Sequence, residues 1–263
     1  EAEKGETFLL PFSVIEQPAK ALSLPIVKQS SRWSDEQKEA YWQVYKAKTE
    51  AQEKPFIKMA RTLWDEQKEQ AIASLDSSST ADTQLFDSGE AIERFNNAFR
   101  PLITGVFQSA VADIFEGHEP KPAHTEAMKL EPVLNEIALK WIASRSLTLA
   151  KLLNGTTIEQ LRAVLAAGFE AGESITQIRD RIEEYYTMAN RVRATMVART
   201  EVIAASAEGN LTAFKELGAE KVEFYPAFDE RTCEICMGIY NGDRIKTIVE
   251  SRGIIPVHVQ CRC

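Results

Sequence analysis

All four cysteines of this 263-residue chain lie between Cys233 and Cys263, after a long stretch with helical periodicity. A secreted disulfide scaffold would spread its bridges through a small domain. Cysteines that are clustered with metal-ligand spacing favour one shared ion instead. The sequence therefore predicts a helical body followed by a small terminal module that a metal organises.

Composition and charge exclude two broad classes. The chain is 44% hydrophobic and 27% charged, as in ordinary globular proteins. No apolar run approaches the roughly 20 residues that span a bilayer, so a membrane protein is rejected. A net charge of -8 argues against a chain that coats DNA over its whole surface. It leaves open a local basic patch.

The first 30 residues have an extended, irregular pattern. Their short apolar runs, 8–11 and 23–26, are broken by prolines, which favours strand or polyproline conformation. Residues 1–30 are interpreted as an arm or linker. Because the chain starts at Glu1, we expect a processed product, an engineered product or part of a longer polypeptide.

Residues 31–155 are predicted to form a helical domain. A capping-box pattern at Ser34–Gln37 opens a helix that Pro55 is expected to interrupt near Lys54. Further helices are predicted after Pro55, from about 88 to 115 with a kink or break at Pro101, and from about 132 to 154. The aromatic residues of these helices are interpreted as core: Trp64, Phe95, Phe99 and Trp141.

Residues 156–263 are predicted to form a second domain. Capping patterns at Thr157 and Ser174 start two short helices, and a long helix rich in small residues runs from about 189 to 217 and stops at Gly218. A strand at 222–225 and a hairpin at 239–245, centred on Asn241-Gly242, follow. The predicted fold class is mainly α, with a small α+β C-terminal module that contains the hairpin and a zinc site.

The terminal module carries a C-x2-C pair and an H-x2-C-x-C ending. Zinc prefers four thiolate or imidazole ligands in a tetrahedron, and two such pairs can wrap one ion. Five side chains compete for four positions: Cys233, Cys236, His258, Cys261 and Cys263. The favoured set omits Cys263, and four protein ligands would make the zinc structural. Disulfides, or free thiols with an ordinary surface histidine, remain alternatives.

Enzyme signatures are not found in the sequence. A zinc deaminase needs H-x-E before its P-C-x-x-C, and here the histidine follows the cysteine pair. The other histidines, His118 and His124, lie in a proline-rich stretch and are interpreted as loop residues. Phosphate-loop, dinucleotide-binding and nucleophile-elbow motifs do not occur. The chain is therefore predicted not to be an enzyme, with a toxin or enzyme-like effector as a remote alternative.

A module that contacts DNA is the second hypothesis. Its candidate contacts are basic: Arg231, Arg244, Lys246, Arg252 and Arg262. Acidic and basic residues balance in this region, which favours scattered solvated charges. Arg199 and Glu201 are likewise interpreted as a solvated or locally paired helical face.

The order of these elements resembles the phage head-morphogenesis family typified by phage Mu protein F. The resemblance rests on Ala198-Arg199-Thr200-Glu201 in a long helix, Asp229–Cys236, Gly242, and the ending Pro256–Cys263. It covers about residues 190–263 and extends more weakly to Leu152. Two departures concern packing more than ligation: Val259 stands where the family usually has Pro, and Phe224-Tyr225 where a Trp is frequent.

The resemblance implies a minor, non-enzymatic protein of a tailed-phage head, located in the virion and in the host cytoplasm during assembly. It implies several copies around the portal, contacts with the portal and major capsid proteins, and a role in DNA packaging or ejection, with contact to genomic DNA as an alternative. Phe8–Pro11 and the helices around Trp42 and Trp64 are also similar to chains in which a portal protein continues into this domain. The arm 1–30 would then be the tail of a portal protein.

Overall fold

The computed structural model describes residues 34–116, 135–226, 228 and 232–261. The expectations for the arm 1–30, for His118 and His124, and for Arg231, Arg262 and Cys263 lie outside these residues. In the described part, four long helices are α1 (Asp35–Ala73), α2 (Ser88–Glu116), α3 (Glu136–Glu170) and α4 (Ile175–Glu216). The terminal module contains β1 (Lys221–Glu223), α5 (Glu234–Asn241), β2 (Ile245–Thr247) and α6 (Ile248–Ser251). The predicted class, mainly α with a small α+β end, is confirmed.

The predicted break at Pro55 is wrong. Helix α1 continues through this exposed residue, and α2 continues through Pro101, which is also exposed. Proline in a helix interior removes one backbone hydrogen bond and costs about 3 kcal/mol. Buried side chains next to each proline, Phe56 at 1% exposure and Phe99 at 0%, provide packing that offsets this cost.

The predicted start of a helix at Thr157 is also wrong. The Thr157 hydroxyl donates to the carbonyl of Leu153, one turn earlier, so the residue lies inside the continuous helix α3. Ser174 behaves as predicted, because its backbone N–H donates to the Gln177 side chain while its Oγ accepts from the Gln177 N–H. Helix α4 then runs without interruption into the predicted long helix and ends at Glu216, two residues before Gly218, whose φ is +80°.

Contacts divide the chain into two compact units, each built from segments of the long helices. One unit takes its described residues from Pro55–Leu102 and Ala143–Met196. Its core contains Trp64, Phe95 and Phe99, as predicted, with the Phe95 and Phe99 rings 6.1 Å apart. A buried polar chain also runs through this core, in which Tyr186 donates to Gln67 and Gln67 donates to Asn154.

The other unit takes its described residues from Glu1–Lys54, Ile103–Ile142 and Val197–Cys263. Here α4 contributes the predicted small residues, and a Cβ added at Gly209 would lie 2.6 Å from the backbone oxygen of Phe107. This distance shows that α2 and α4 approach closely at a position where only glycine fits. Trp141 is half-buried, with its ring 6.2 Å from that of Phe107.

The module's two strands pair antiparallel, with Lys221 opposite Thr247 and Glu223 opposite Ile245. The hairpin predicted at 239–245 is misplaced, because 239–241 is helical and β2 pairs with β1 across the intervening helix α5. Thr247 then starts α6 through a capping box with Glu250. Among the described helices, none combines the length and hydrophobicity that crossing a membrane requires.

Candidate metal centre

Helix α5 positions the first pair of cysteines. Cys233 is its N-cap, with extended backbone angles, and its Sγ accepts a hydrogen bond from the Cys236 N–H at 3.5 Å. Because Cys236 lies in the first turn of α5, its side chain points toward the N-terminal end of the helix, where Cys233 lies. The two Sγ atoms are 3.6 Å apart. The C-x2-C spacing therefore places two adjacent sulfur atoms at the N-terminus of α5.

A tight turn positions the second pair. The Cys261 N–H donates to the carbonyl of His258 at 3.1 Å, which closes the turn 258–261. The His258 ring is oriented by a 2.8 Å contact between Nδ1 and the Val259 carbonyl, and its Nε2 lies 3.4 Å from the Cys236 Sγ. The Cys261 Sγ lies 3.9 Å from the Cys236 Sγ. Both potential ligands of the turn thus face Cys236.

The separations from the Cys236 sulfur to its three neighbours fit the spacing of ligands around one tetrahedral ion. With zinc–sulfur bonds of about 2.3 Å, tetrahedral geometry separates sulfur atoms by roughly 3.8 Å, and sulfur from nitrogen by roughly 3.5 Å. The ligand atoms of Cys233, Cys236 and His258 all lie within 4.8 Å of one another. Cys261 is outside this trio but contacts its central sulfur. The structure thus clusters three of the five predicted ligands and places a fourth, Cys261, beside Cys236.

The cluster lies in an apolar core and not on the surface. Cys236 and Cys261 are each 1% exposed, and Cys233 is half-buried. Tyr41 and Tyr45 from α1 belong to the same buried cluster, which also includes the following residues: Ile203, Ala207, Phe224 and Ile255. The tyrosines were not predicted as part of the site. Their four-residue spacing indicates a shared helix face, but nothing in it indicates what that face covers.

The electrostatics of the cluster favour a positive charge at its centre. Hydrogen bonds to the sulfur atoms of Cys236 and Cys261 raise the pKa of His258 to about 11, although burial opposes this shift. Burial raises the pKa of Cys233, but hydrogen bonds from Cys236 and the nearby His258 outweigh it, so the pKa lies below its ordinary value. Sulfur atoms that stabilise an imidazolium can stabilise a metal cation in its place.

Arg199 and Glu201 were predicted to be solvated or locally paired, but Glu201 is not solvated and Arg199 pairs with a distant residue. Glu201 is fully buried, and Arg199, with a side chain 17% exposed, donates to Glu53 of α1 at 3.4 Å. Arg199 also donates to the Gln260 side chain at 3.2 Å, and Thr200 Oγ1 accepts from the Gln260 N–H at 3.3 Å. Gln260 was not predicted as a functional residue, because glutamine carries no sequence signal for the positive φ of 64° that it adopts.

Three of the predicted DNA contacts are described, and each has an acidic partner. Arg244 pairs with Glu223 at 3.3 Å and stacks on the ring of Tyr240. Lys246 pairs with Asp243 at 2.7 Å, and Arg252 pairs with the buried Glu208. The structure gives these cations local roles in the module.

Fold and site together define a helical protein with a terminal module organised by cysteine and histidine. Residues 159–263 match the family model described as phage Mu protein F like protein. The match covers less than half of the chain, so this segment is similar to the phage Mu protein F-like family, which supports an assignment to the phage head-morphogenesis proteins. No curated protein and no solved structure matches the chain.

Proposed function

We propose that Cys233, Cys236, His258 and Cys261 bind one structural zinc ion. The proposal is carried by the separations of their ligand atoms, 3.4 to 3.9 Å from the Cys236 sulfur to its neighbours. Zinc bound there would cross-link the start of α5 to the turn 258–261. Cys263, outside the described residues, is the alternative fourth ligand.

The protein is proposed to act without catalysing a reaction. A zinc ion with four protein ligands keeps no open position for water or substrate, which is the property of structural sites. Cys236 and Cys261 pack in the same buried cluster as Tyr41, Tyr45 and Ile203, so the proposed metal would lie against the core. The metal would then stabilise a segment with only two short strands and two short helices of its own.

Within the virion, we propose a minor head protein at the portal, acting in head morphogenesis and in DNA packaging or ejection. The proposed partners are the portal protein and the major capsid protein, with several copies around the portal and host cytoplasm as the place of assembly. The family match over residues 159–263 supports this role. Contact with genomic DNA is less favoured, because Arg244, Lys246 and Arg252 already have acidic partners.

Metal content tests the zinc site directly. Purified, reduced protein is expected to contain about one zinc per chain, and cobalt substitution should give the absorption of a tetrahedral thiolate site. Cys236→Ser should abolish both signals, whereas Met237→Leu, which removes a neighbouring sulfur from α5, should preserve them. Metal-free protein under these conditions would overturn the zinc site.

Portal association has its own test. Co-expressed portal protein should co-purify with this chain, and particle images should place it beside the portal vertex. Particles that package and eject DNA normally without this chain would overturn the proposed role. The zinc site could survive that result, because its test does not depend on the particle.

A further inference from the structure

The turn that carries His258 and Cys261 depends on a residue in a disfavoured backbone conformation. Gln260 has φ of 64°, and it is the third residue of the turn closed by the bond from the Cys261 N–H to the His258 carbonyl. Positive φ at this position normally selects Gly or Asn. Glutamine there costs conformational energy, and such residues persist where the surroundings hold them.

Helix α4 supplies contacts that hold Gln260. Thr200, 2% exposed, accepts a hydrogen bond from the Gln260 backbone N–H at 3.3 Å. Arg199, the residue before Thr200 in α4, donates a hydrogen bond from Nη1 to Oε1 of the Gln260 side chain at 3.2 Å. The Arg199 guanidinium is itself oriented by Glu53 of α1, which is 5% exposed. Backbone and side chain of the strained residue are both bound.

We infer that Thr200 and Arg199 are positioning residues for the metal centre: they hold Gln260 in its left-handed conformation so that His258 and Cys261 face Cys236. This inference rests on the proposed zinc site and assigns to Arg199 and Thr200 a role in its assembly. Neither side chain is among the ligands. Their effect on the metal would come entirely through the turn.

Zinc affinity of the full chain, measured by competition with a chromogenic chelator, tests the role of Thr200. Thr200→Val keeps the shape of the side chain but removes the acceptor of the Gln260 N–H, and is expected to weaken zinc binding roughly 10-fold or more, as loss of a hydrogen-bond partner around a metal site does. Thr200→Ser, which keeps the hydroxyl, should restore the affinity. Thr212→Val, at another buried threonine of α4, should leave it unchanged.

A double-mutant cycle tests the role of Arg199 and remains decisive if Thr200→Val disturbs folding. Arg199→Ala should weaken zinc binding in the otherwise unaltered chain. In a Gln260→Gly background the same substitution should cost little, because glycine adopts positive φ without help. Any effect of losing the Glu53 pair is common to both backgrounds and cancels.

The outcomes separate the two proposals. If the unaltered chain binds zinc but Thr200→Val matches Thr212→Val, or if Arg199→Ala costs the same in both backgrounds, the positioning role is overturned and the metal site stands. If the unaltered chain binds neither zinc nor cobalt, the metal site falls and the positioning role falls with it.

Discussion

At the scale of single residues, a few positions have a decisive effect on helix packing or on the cysteine–histidine cluster. Gly209 lies against the backbone of α2, where an added Cβ would come 2.6 Å from Phe107 O and 2.9 Å from Ala110 Cβ. Cys236 is the centre of the cysteine–histidine cluster, since its sulfur contacts Cys233, His258 and Cys261. Substitutions at these positions should therefore have specific and separable effects.

Gly209→Ala is expected to lower the free energy of unfolding by about 1–3 kcal/mol, because overpacking against a backbone forces the helices apart. Gly105→Ala is the matched control, since Gly105 lies inside α2 and a Cβ there would meet nothing within 4 Å. That substitution should raise stability by about 0.5–1 kcal/mol through helix propensity. Urea unfolding measures both, and a neutral Gly209→Ala would contradict the close approach of α2 and α4.

Zinc affinity is expected to increase with pH between 6 and 9. Without metal, the pKa of His258 is raised to about 11 by hydrogen bonds to Cys236 and Cys261, so the imidazole carries a proton throughout this range. Zinc must displace that proton and those of the thiols. Chelator competition at several pH values measures the slope, which should be shallower by about one proton for His258→Ala. An equal slope in the two proteins would show that zinc binding displaces no proton from His258.

At the scale of elements, long helices tolerate residues that usually end them. Helix α1 contains Pro55 and α2 contains Pro101, and each proline ring is exposed while the neighbouring face is buried. Packing on that face stabilises the helix more than the lost hydrogen bond destabilises it. Each proline therefore still destabilises its helix locally, and substitution should show this effect.

Pro55→Ala is expected to stabilise the protein by about 1–3 kcal/mol, because it restores one backbone hydrogen bond and removes a clash inside α1. Greater freedom of the unfolded chain offsets part of this gain, by about 0.4–1 kcal/mol. Pro101→Ala in α2 is the companion variant and should act in the same direction. Thermal unfolding measures both, and a destabilised Pro55→Ala would mean that the proline supports the packing around it.

At the scale of the molecule, the cysteine–histidine cluster joins segments that are distant in the sequence. Its buried cluster contains Tyr41 and Tyr45 of α1, Ile203 of α4 and Ile255 near the end of the chain. The ion pairs of Arg199 with Glu53 and of Arg252 with Glu208 add further ties within the same unit. Removing the metal should therefore affect more than the terminal module.

Chelation at neutral pH is expected to increase amide hydrogen exchange in 233–261 and also in α1 around Tyr41 and Tyr45. The unit formed by Pro55–Leu102 and Ala143–Met196 should keep its protection, because its aromatic core and its Gln67–Asn154 bond do not involve the cluster. Hydrogen exchange with mass spectrometry resolves these segments. Equal protection before and after verified metal removal would show that the ion contributes nothing to stability.

Features that depend on neighbouring residues could be predicted from the sequence. The capping box at Ser174, the helix stop near Gly218 and the apolar stripe around Trp64 all act within a few residues. The spacing of Cys233, Cys236, His258 and Cys261 predicts ligands for one ion. Local hydrogen bonding and side-chain periodicity can be recognised from the order of the residues. These signals were sufficient for the fold class and for the candidate ligands.

Features that depend on contacts between distant segments became visible in the tertiary structure alone. Tertiary packing stabilises α1 across Pro55 and buries Glu201. It also pairs strand β2 with β1 and not with residues 239–241. Arg199 finds its partners 146 residues before it and 61 residues after it, and the conformation of Gln260 has no local signal in a glutamine. The energy of such contacts depends on which surfaces meet, and a pattern of neighbouring residues does not contain that information.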